Sequence, residues 1–395
     1  MKPMRIVQTP ARFEPATGGV ERYTLELSRA LVARGHSVTV VCADDPGGGP
    51  ATIDGVEIRR LRYRGKIANT NMTWGLPRVL AGMDFDVLHT HLPTPWTADV
   101  SAAVAARRGC PLVLTYQNDI LKDGPAKLVA GAYNRLALPL LLRRADAVVT
   151  TQPGYVHYSR YLNRLSGRVR TIPLGVDVPD IAVAGTHVRD PDQLLFVSVL
   201  DRHHAYKGLD VLLEAVAMLA ASGGPGVGVR LKVVGSGELV EEYRRQADRL
   251  GIGERVTFLG YVPDAELDRL YRTSAALVLP STSHLEGFGI VCLEALVRET
   301  PAVTTTITGA AAGVVSYDAG AVVEPGDVAG LAAAIVRVIA DPRVRDAMGA
   351  RGRRMVTDRF TWPAIAEQFE ALYAALLADR AVKRATAHRR TTSTE

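Results

Sequence analysis

Short apolar runs alternate with longer amphipathic stretches along almost the whole of this chain, and that alternation constrains the fold more than any other feature. Arg5–Thr9 reads as a strand, and a loop with Glu14, Pro15, Gly18 and Gly19 follows it. An amphipathic stretch then places Val20, Tyr23, Leu27, Ala30 and Leu31 on one face, and Gly35 closes it before a second strand at Ser37–Cys42. Further strands are expected at Asp86–Thr90, Pro111–Tyr116 and Ala145–Thr151. Strands joined by helices in this way argue for parallel sheets built from right-handed βαβ units.

The series pauses at Val176–Asp192, which is rich in Pro, Ala and Gly and reads as a linker, and it resumes at Leu194. Strands at Leu194–Val199, Arg230–Gly235, Val256–Leu259, Ala275–Leu279 and Ala302–Thr305 alternate with helices at Leu209–Ala221, Glu238–Leu250, Asp264–Arg272 and Ile290–Arg298. A chain of 395 residues is too long for one ordinary core. The expected organisation is one domain over 1–178, a second over 190–361, a final helix over 362–378 and a tail over 379–395. That tail has five basic and two acidic side chains and reads as disordered.

The tail also holds half of the net charge of +6, so the remainder is weak support for a polyanionic partner. No nucleic-acid recognition motif accompanies it. The three cysteines, Cys42, Cys110 and Cys292, are far apart and lie in or beside apolar runs, which fits free buried thiols in a reducing compartment. The N-terminus shows no signal-peptide core, and the apolar run near Leu136–Leu142 is broken by Pro139 and closed by Arg143 and Arg144. That run is too short to span a membrane, and a cytoplasmic location is expected. Thr52–Tyr63 carries Arg59, Arg60 and Arg62, with Arg64 beyond. Two readings stay open for it: a solvated edge strand, or a peripheral contact with an anionic membrane.

The most specific stretch is Leu279–Leu296, L-P-S-T-S-H-L-E-G-F-G-I-V-C-L-E-A-L. A strand ends at Pro280, a turn leads into Glu286-Gly287-Phe288-Gly289, and Ile290, Leu293 and Leu296 open a helix. Such a strand–elbow–helix presents backbone N–H groups and a positive dipole at a sheet edge. Glu294 follows Glu286 by eight residues, about 12 Å along a helix axis, and two carboxylates so placed suit a polyhydroxylated ligand. This stretch resembles the E-x7-E signature of the retaining glycosyltransferases of family 4. The resemblance implies a GT-B fold, with two Rossmann-like parallel-sheet domains facing each other across a cleft and a C-terminal helix crossing back to the first domain.

Other segments extend the resemblance over nearly all of the chain. G-G-V-E-R-Y at Gly18 and Gly19 is similar to the family's first loop, where backbone approaches a phosphate. Asp201-Arg202-His203-His204-Ala205-Tyr206-Lys207-Gly208 is similar to its G-R…K-G segment, which implies that Arg202 and Lys207 hold a diphosphate. Asp201 stands where the family commonly has Gly. By resemblance, the loops with Gly235, Tyr261 and Val262 hold the nucleotide base, Glu294 the ribose, and Glu286, Gly287, Phe288, Gly289 and Ile290 the sugar and phosphates. Gln117 occupies a place where relatives commonly carry His, beside the transferred sugar, and Glu14, His91 and Asp119 fall on the acceptor side. His89 and His91 lack the carboxylate or Cys partners of a metal site, which leaves satisfied packing or acceptor contact open for them.

The activity implied is transfer of a sugar from a nucleotide diphosphate sugar to an acceptor hydroxyl with retained configuration. Glu286, Gln117, Arg202 and Lys207 are its catalytic candidates, and neither a metal nor a cofactor takes part. Two other readings remain: a sugar-nucleotide epimerase of the same fold, and a non-catalytic sugar-nucleotide-binding protein. The partners implied are the donor and a small-molecule, glycan or lipid-linked acceptor.

Overall fold

The computed structural model describes residues 2–392, apart from 17, 68–69, 121–123, 125, 153, 166 and 180–187. It forms two compact units, 1–175 with 362–395, and 176–361. The first unit takes its strands in the order β1 (Arg5–Thr9), β2 (Ser37–Ala43), β3 (Thr52–Ile53), β4 (Val56–Leu61), β5 (Lys66–Ile67) and β6 (Thr70–Asn71). It continues with β7 (Val87–Leu92), β8 (Leu112–Tyr116), β9 (Ala147–Thr150) and β10 (Val169–Thr171). Its main sheet runs β10-β9-β8-β7-β1-β2-β4-β3, parallel except for the terminal β3–β4 pair, while β5 and β6 form a separate hairpin.

Burial is nearly continuous along the central strands, as a sheet covered on both faces requires, and successive side chains enter opposite cores. Ile6, Val40, Val87, Val113 and Val149 pack with the helices Gly19–Ala33 and Trp362–Thr392. Val7, Val41, Leu88, Leu114 and Val148 pack with Pro95–Arg108 and Leu138–Arg144 on the other face.

The second unit contains β11 (Asp190–Val197), β12 (Arg230–Val234), β13 (Val256–Gly260), β14 (Ser274–Leu279), β15 (Ala302–Thr305) and β16 (Gly320–Val323). They form one all-parallel sheet in the order β13-β12-β11-β14-β15-β16. In each unit the chain extends the sheet to one side of the first strand and then crosses to the other. The switch points lie between β1 and β7, and between β11 and β14, where open parallel sheets bind ligands outside the carboxyl ends of their strands.

Three expectations need correction. The tail expected to be disordered is helical, because the last helix runs from Trp362 to Thr392. Extending a formed helix fixes one residue per added bond, and Arg380 ties it to Asp146 at 2.7 Å while Lys383 pairs with Asp379 at 2.6 Å. The units divide at Gly175 and Val176, earlier than expected, since the Val176 N–H donates to the Phe360 carbonyl at 2.7 Å. Part of the expected linker, 180–187, lies outside the described residues. Finally, β16 completes the second sheet beyond the last strand foreseen, Ala302–Thr305.

Candidate active site

The loops that follow β11 and β14 meet at the second unit's switch point. Gly208, at φ 80°, lies so close to the Pro280 carbonyl that a Cβ there would sit 2.1 Å from its oxygen. The Thr282 N–H donates to the Tyr206 carbonyl at 2.7 Å. Asp201 resolves the departure from glycine: its Oδ1 accepts the His204 N–H at 2.9 Å and lies 2.7 Å from His204 Nδ1, so a carboxylate closes the turn.

This joining sets Lys207 beside Glu286, 79 residues further on. The Lys207 Nζ donates to Glu286 Oε2 at 2.9 Å, and the Ser281 hydroxyl donates to the same oxygen at 2.9 Å. Glu286 Oε1 accepts the Gly289 N–H at 3.1 Å. Glu286 is 3% exposed, so its charge is stabilised by these donors and not by water. Lys207 also lies 5.7 Å from the Tyr206 ring centroid, and burial together with the Glu286 charge pushes the Tyr206 phenol up to about 12.

The elbow therefore differs from its expected form. One of its N–H groups is already occupied by the chain's own carboxylate, and the helix Ile290–Leu296 is only seven residues long. The longer helix Leu209–Ala221 begins directly after Lys207 and Gly208, and it supplies the more substantial dipole. Glu294 is half-buried and accepts the Tyr271 hydroxyl at 2.8 Å. Arg202 is not drawn in with Lys207; its side chain is 76% exposed and lies 3.4 Å from Glu238. Phe288 and Gly289 are buried, whereas Gly287 and Ile290 are part-exposed. Gly235 abuts the Ser198 carbonyl, where a Cβ would stand 1.7 Å away, so its glycine serves strand packing. Tyr261 is exposed at the end of β13, with Val262 part-exposed beside it. Ser281, Tyr206 and Tyr271 are the partners that sequence reasoning missed. Ser281 stands in plain view in L-P-S-T-S, but what it touches depends on the fold.

In the first unit, the loops after β1, β7 and β8 surround a cavity of about 500 Å³. Gly18, Gly19, Arg12, Asp99 and Asp119 line it together with Ile67, Trp96, Val129 and Tyr133. Asp119 accepts from Tyr116 and Ser159, each at 2.8 Å, and Asp99 accepts from Tyr133 at 3.2 Å. Burial pushes the Asp99 carboxyl up to about 6. Gln117 is half-buried, with its N–H donating to the Leu92 carbonyl at 3.3 Å and a buried Nε2 that has no partner among the described residues. Glu14 is part-exposed, and its carbonyl accepts from Arg60.

His91 does not fit the acceptor role expected of it. It is fully buried, 3.0 Å from Gln8, and burial holds its imidazole neutral down to about 3. His89 is likewise a core residue, between Tyr373 and Thr115 at 2.7 Å each. Among the described residues no group of three or more His, Cys, Asp or Glu is placed to hold a metal ion. All three cysteines are free and buried. No helix among the described residues is long and apolar enough to cross a membrane.

The two parallel-sheet α/β units are those of the GT-B fold, and two family matches that together cover most of the chain make it a glycosyltransferase. Residues 179–355 match the family described as glycosyl transferases group 1, and residues 18–175 match the glycosyl transferase 4-like domain. A glycogen synthase of Mycobacterium tuberculosis is 28% identical over 94% of this chain and 95% of its own length. A phosphatidyl-myo-inositol mannosyltransferase of Mycolicibacterium smegmatis is 28% identical over 90% of each chain. Among solved structures, Anabaena HepE in complex with UDP-glucose superposes with a TM-score of 0.69 at 18% identity, over 94% of this chain and 100% of that one.

Proposed function

We propose that the chain transfers a sugar from a nucleotide diphosphate sugar to an acceptor hydroxyl with retention of configuration and without a metal. The observation that carries this reading is the Lys207–Glu286–Ser281 constellation at the switch point. Transfer from a nucleotide diphosphate needs positive charge at the departing diphosphate while the anomeric carbon becomes oxocarbenium-like. Lys207 and the start of the helix Leu209–Ala221 supply it, and Arg202 joins them only by turning away from Glu238. Glu286 holds Lys207 in place and offers its remaining lone pairs to sugar hydroxyls, while Glu294 takes the ribose. With both oxygens of Glu286 engaged, it is a poor nucleophile, which favours same-face attack over a covalent glycosyl-enzyme.

The cavity lined by Asp99 and Asp119 takes the acceptor, and Gln117 positions a sugar hydroxyl. UDP-glucose is the first donor to try, because HepE is a fold neighbour solved with it. Incubation with labelled UDP-, GDP- and dTDP-sugars, each with EDTA present, separates the outcomes. A glycosylated acceptor or slow release of free sugar is expected. Conversion to an epimer without acceptor would make the chain an epimerase, binding without turnover would make it a receptor, and activity restored only by magnesium or manganese would overturn the metal-free mechanism.

A further inference from the structure

The helix Ala126–Leu136 turns its apolar side outward. Inward it buries Ala130 and Asn134 with Tyr133 packed part-buried beside them, and the Asn134 amide donates to the Ile120 carbonyl at 2.8 Å, which fixes the helix's rotation. Outward, Leu128, Val129 and Leu136 are 80%, 48% and 69% exposed, and Leu140 of the next helix, Leu138–Arg144, is 53% exposed. A surface helix that faces only water carries the opposite pattern.

Charge says what covers this face. Residues 126–144 include four cations, Lys127, Arg135, Arg143 and Arg144, all exposed, and no carboxylate. Exposed leucines interleaved with cations are the composition of helices that lie in an anionic lipid interface. The apolar surface continues across the cavity, because Val129 lines it together with Ile67 and Trp96. Trp96 stacks edge-on against Trp74, itself largely exposed, with ring centroids 4.9 Å apart. Tryptophan favours the boundary between lipid and water.

We propose that the outer sides of these two helices dock the chain on an anionic bilayer, with the cavity opening at the lipid surface. A second copy of the chain fits less well, since an isologous contact would set the same four cations against themselves. In the Arg59–Arg64 stretch, Arg59 pairs with Glu57 at 2.8 Å and Arg60 donates to the Pro50 and Glu14 carbonyls, so its exposed Arg62 and Arg64 serve as the control surface. The docking is read from lipid binding alone, so it stands or falls separately from the donor chemistry.

Flotation of the full chain with vesicles tests it. Binding is expected to an equimolar mixture of phosphatidylcholine and phosphatidylglycerol, weakening with salt, and not to phosphatidylcholine alone. Leu128→Glu with Leu136→Glu should lower partitioning at least about tenfold, and Arg135→Ala or Arg143→Ala about fivefold each. These side chains are exposed, and an unchanged circular dichroism spectrum confirms folding. Arg62→Ala with Arg64→Ala should bind as the parent does. The proposal is overturned by absent binding, by equal binding to neutral vesicles, or by full binding of the double glutamate variant. Loss confined to the Arg62/Arg64 variant would overturn it too, as would a dimer that the double glutamate variant dissociates.

Discussion

Lys207 donates to Glu286 at 2.9 Å across 79 residues of chain, with 18% of the lysine side chain and 4% of the glutamate exposed. Removing one partner of such a pair leaves the other charge poorly solvated, so either single change should destabilise the second unit. Lys207→Met and Glu286→Gln should each cost about 2–3 kcal/mol, below the cost for a fully buried pair because the lysine keeps some water. The double variant should cost less than the sum by about 1–2 kcal/mol in urea unfolding. Additive costs would mean that the two residues are neighbours without being coupled.

The two glutamates should separate in function. Glu294→Ala removes a charged hydrogen-bond acceptor and should weaken UDP binding by about 1.5–3 kcal/mol. Tyr271→Phe removes the donor that orients Glu294 at 2.8 Å and should weaken UDP binding by a smaller amount in the same direction. Glu286→Ala should spare nucleoside-diphosphate affinity and lower kcat. Calorimetry with UDP distinguishes them: equal loss of affinity in Glu286→Ala and Glu294→Ala would contradict the division of roles.

The strand–helix alternation is legible in sequence because the central parallel strands are covered on both faces and read as largely apolar runs, S-V-T-V-V-C-A or S-A-A-L-V-L, between amphipathic helices. Less legible is β16, where four residues, Gly320–Val323, lie in an Ala- and Val-rich stretch whose periodicity fits helix and strand alike. The helical continuation past residue 378 was hidden by composition, since Lys, Arg and Thr in a terminal segment look unstructured until Asp146 and Asp379 are placed beside them. In the site, spacing points to Glu286 and Glu294 but cannot show that Glu286 is enclosed. Its partners Lys207 and Ser281 come from the loops after β11 and β14, and the adjacency of those strands is a property of sheet order. His91 is legible as a strand-end polar residue, and only the packed sheet reveals that it lies beneath the surface.

Gln117 carries the next expectation. Its N–H is held by the Leu92 carbonyl, while its buried Nε2 lacks a partner among the described residues, and an unpaired buried amide is costly unless something completes it. A sugar hydroxyl would do so, and an amide cannot titrate near neutrality. Gln117→Ala should lower kcat about tenfold to a hundredfold, the scale of one transition-state hydrogen bond. Gln117→Glu should do worse, because a carboxylate cannot donate to a sugar hydroxyl and would stand ionised and unpaired in that place. Normal turnover of Gln117→Ala at saturating donor and acceptor would make the residue structural.

Asp99 makes stability depend on pH. Burial raises its carboxyl from 3.8 to about 6, so across that interval the folded chain keeps a proton that the unfolded chain has lost. The favourable contribution is complete below about pH 4, fades as pH rises, and is gone above about pH 6. Asp99→Asn abolishes the titration while keeping an acceptor for Tyr133, which donates at 3.2 Å. It should therefore stabilise the first unit at pH 8, by about 1 kcal/mol once solvent screening of a part-exposed group is allowed for, and by clearly less at pH 4.5. Paired urea titrations at the two pH values measure the difference. The same gain at both would show that the Asp99 carboxyl is ionised throughout, and that the cavity wall does not hold its proton.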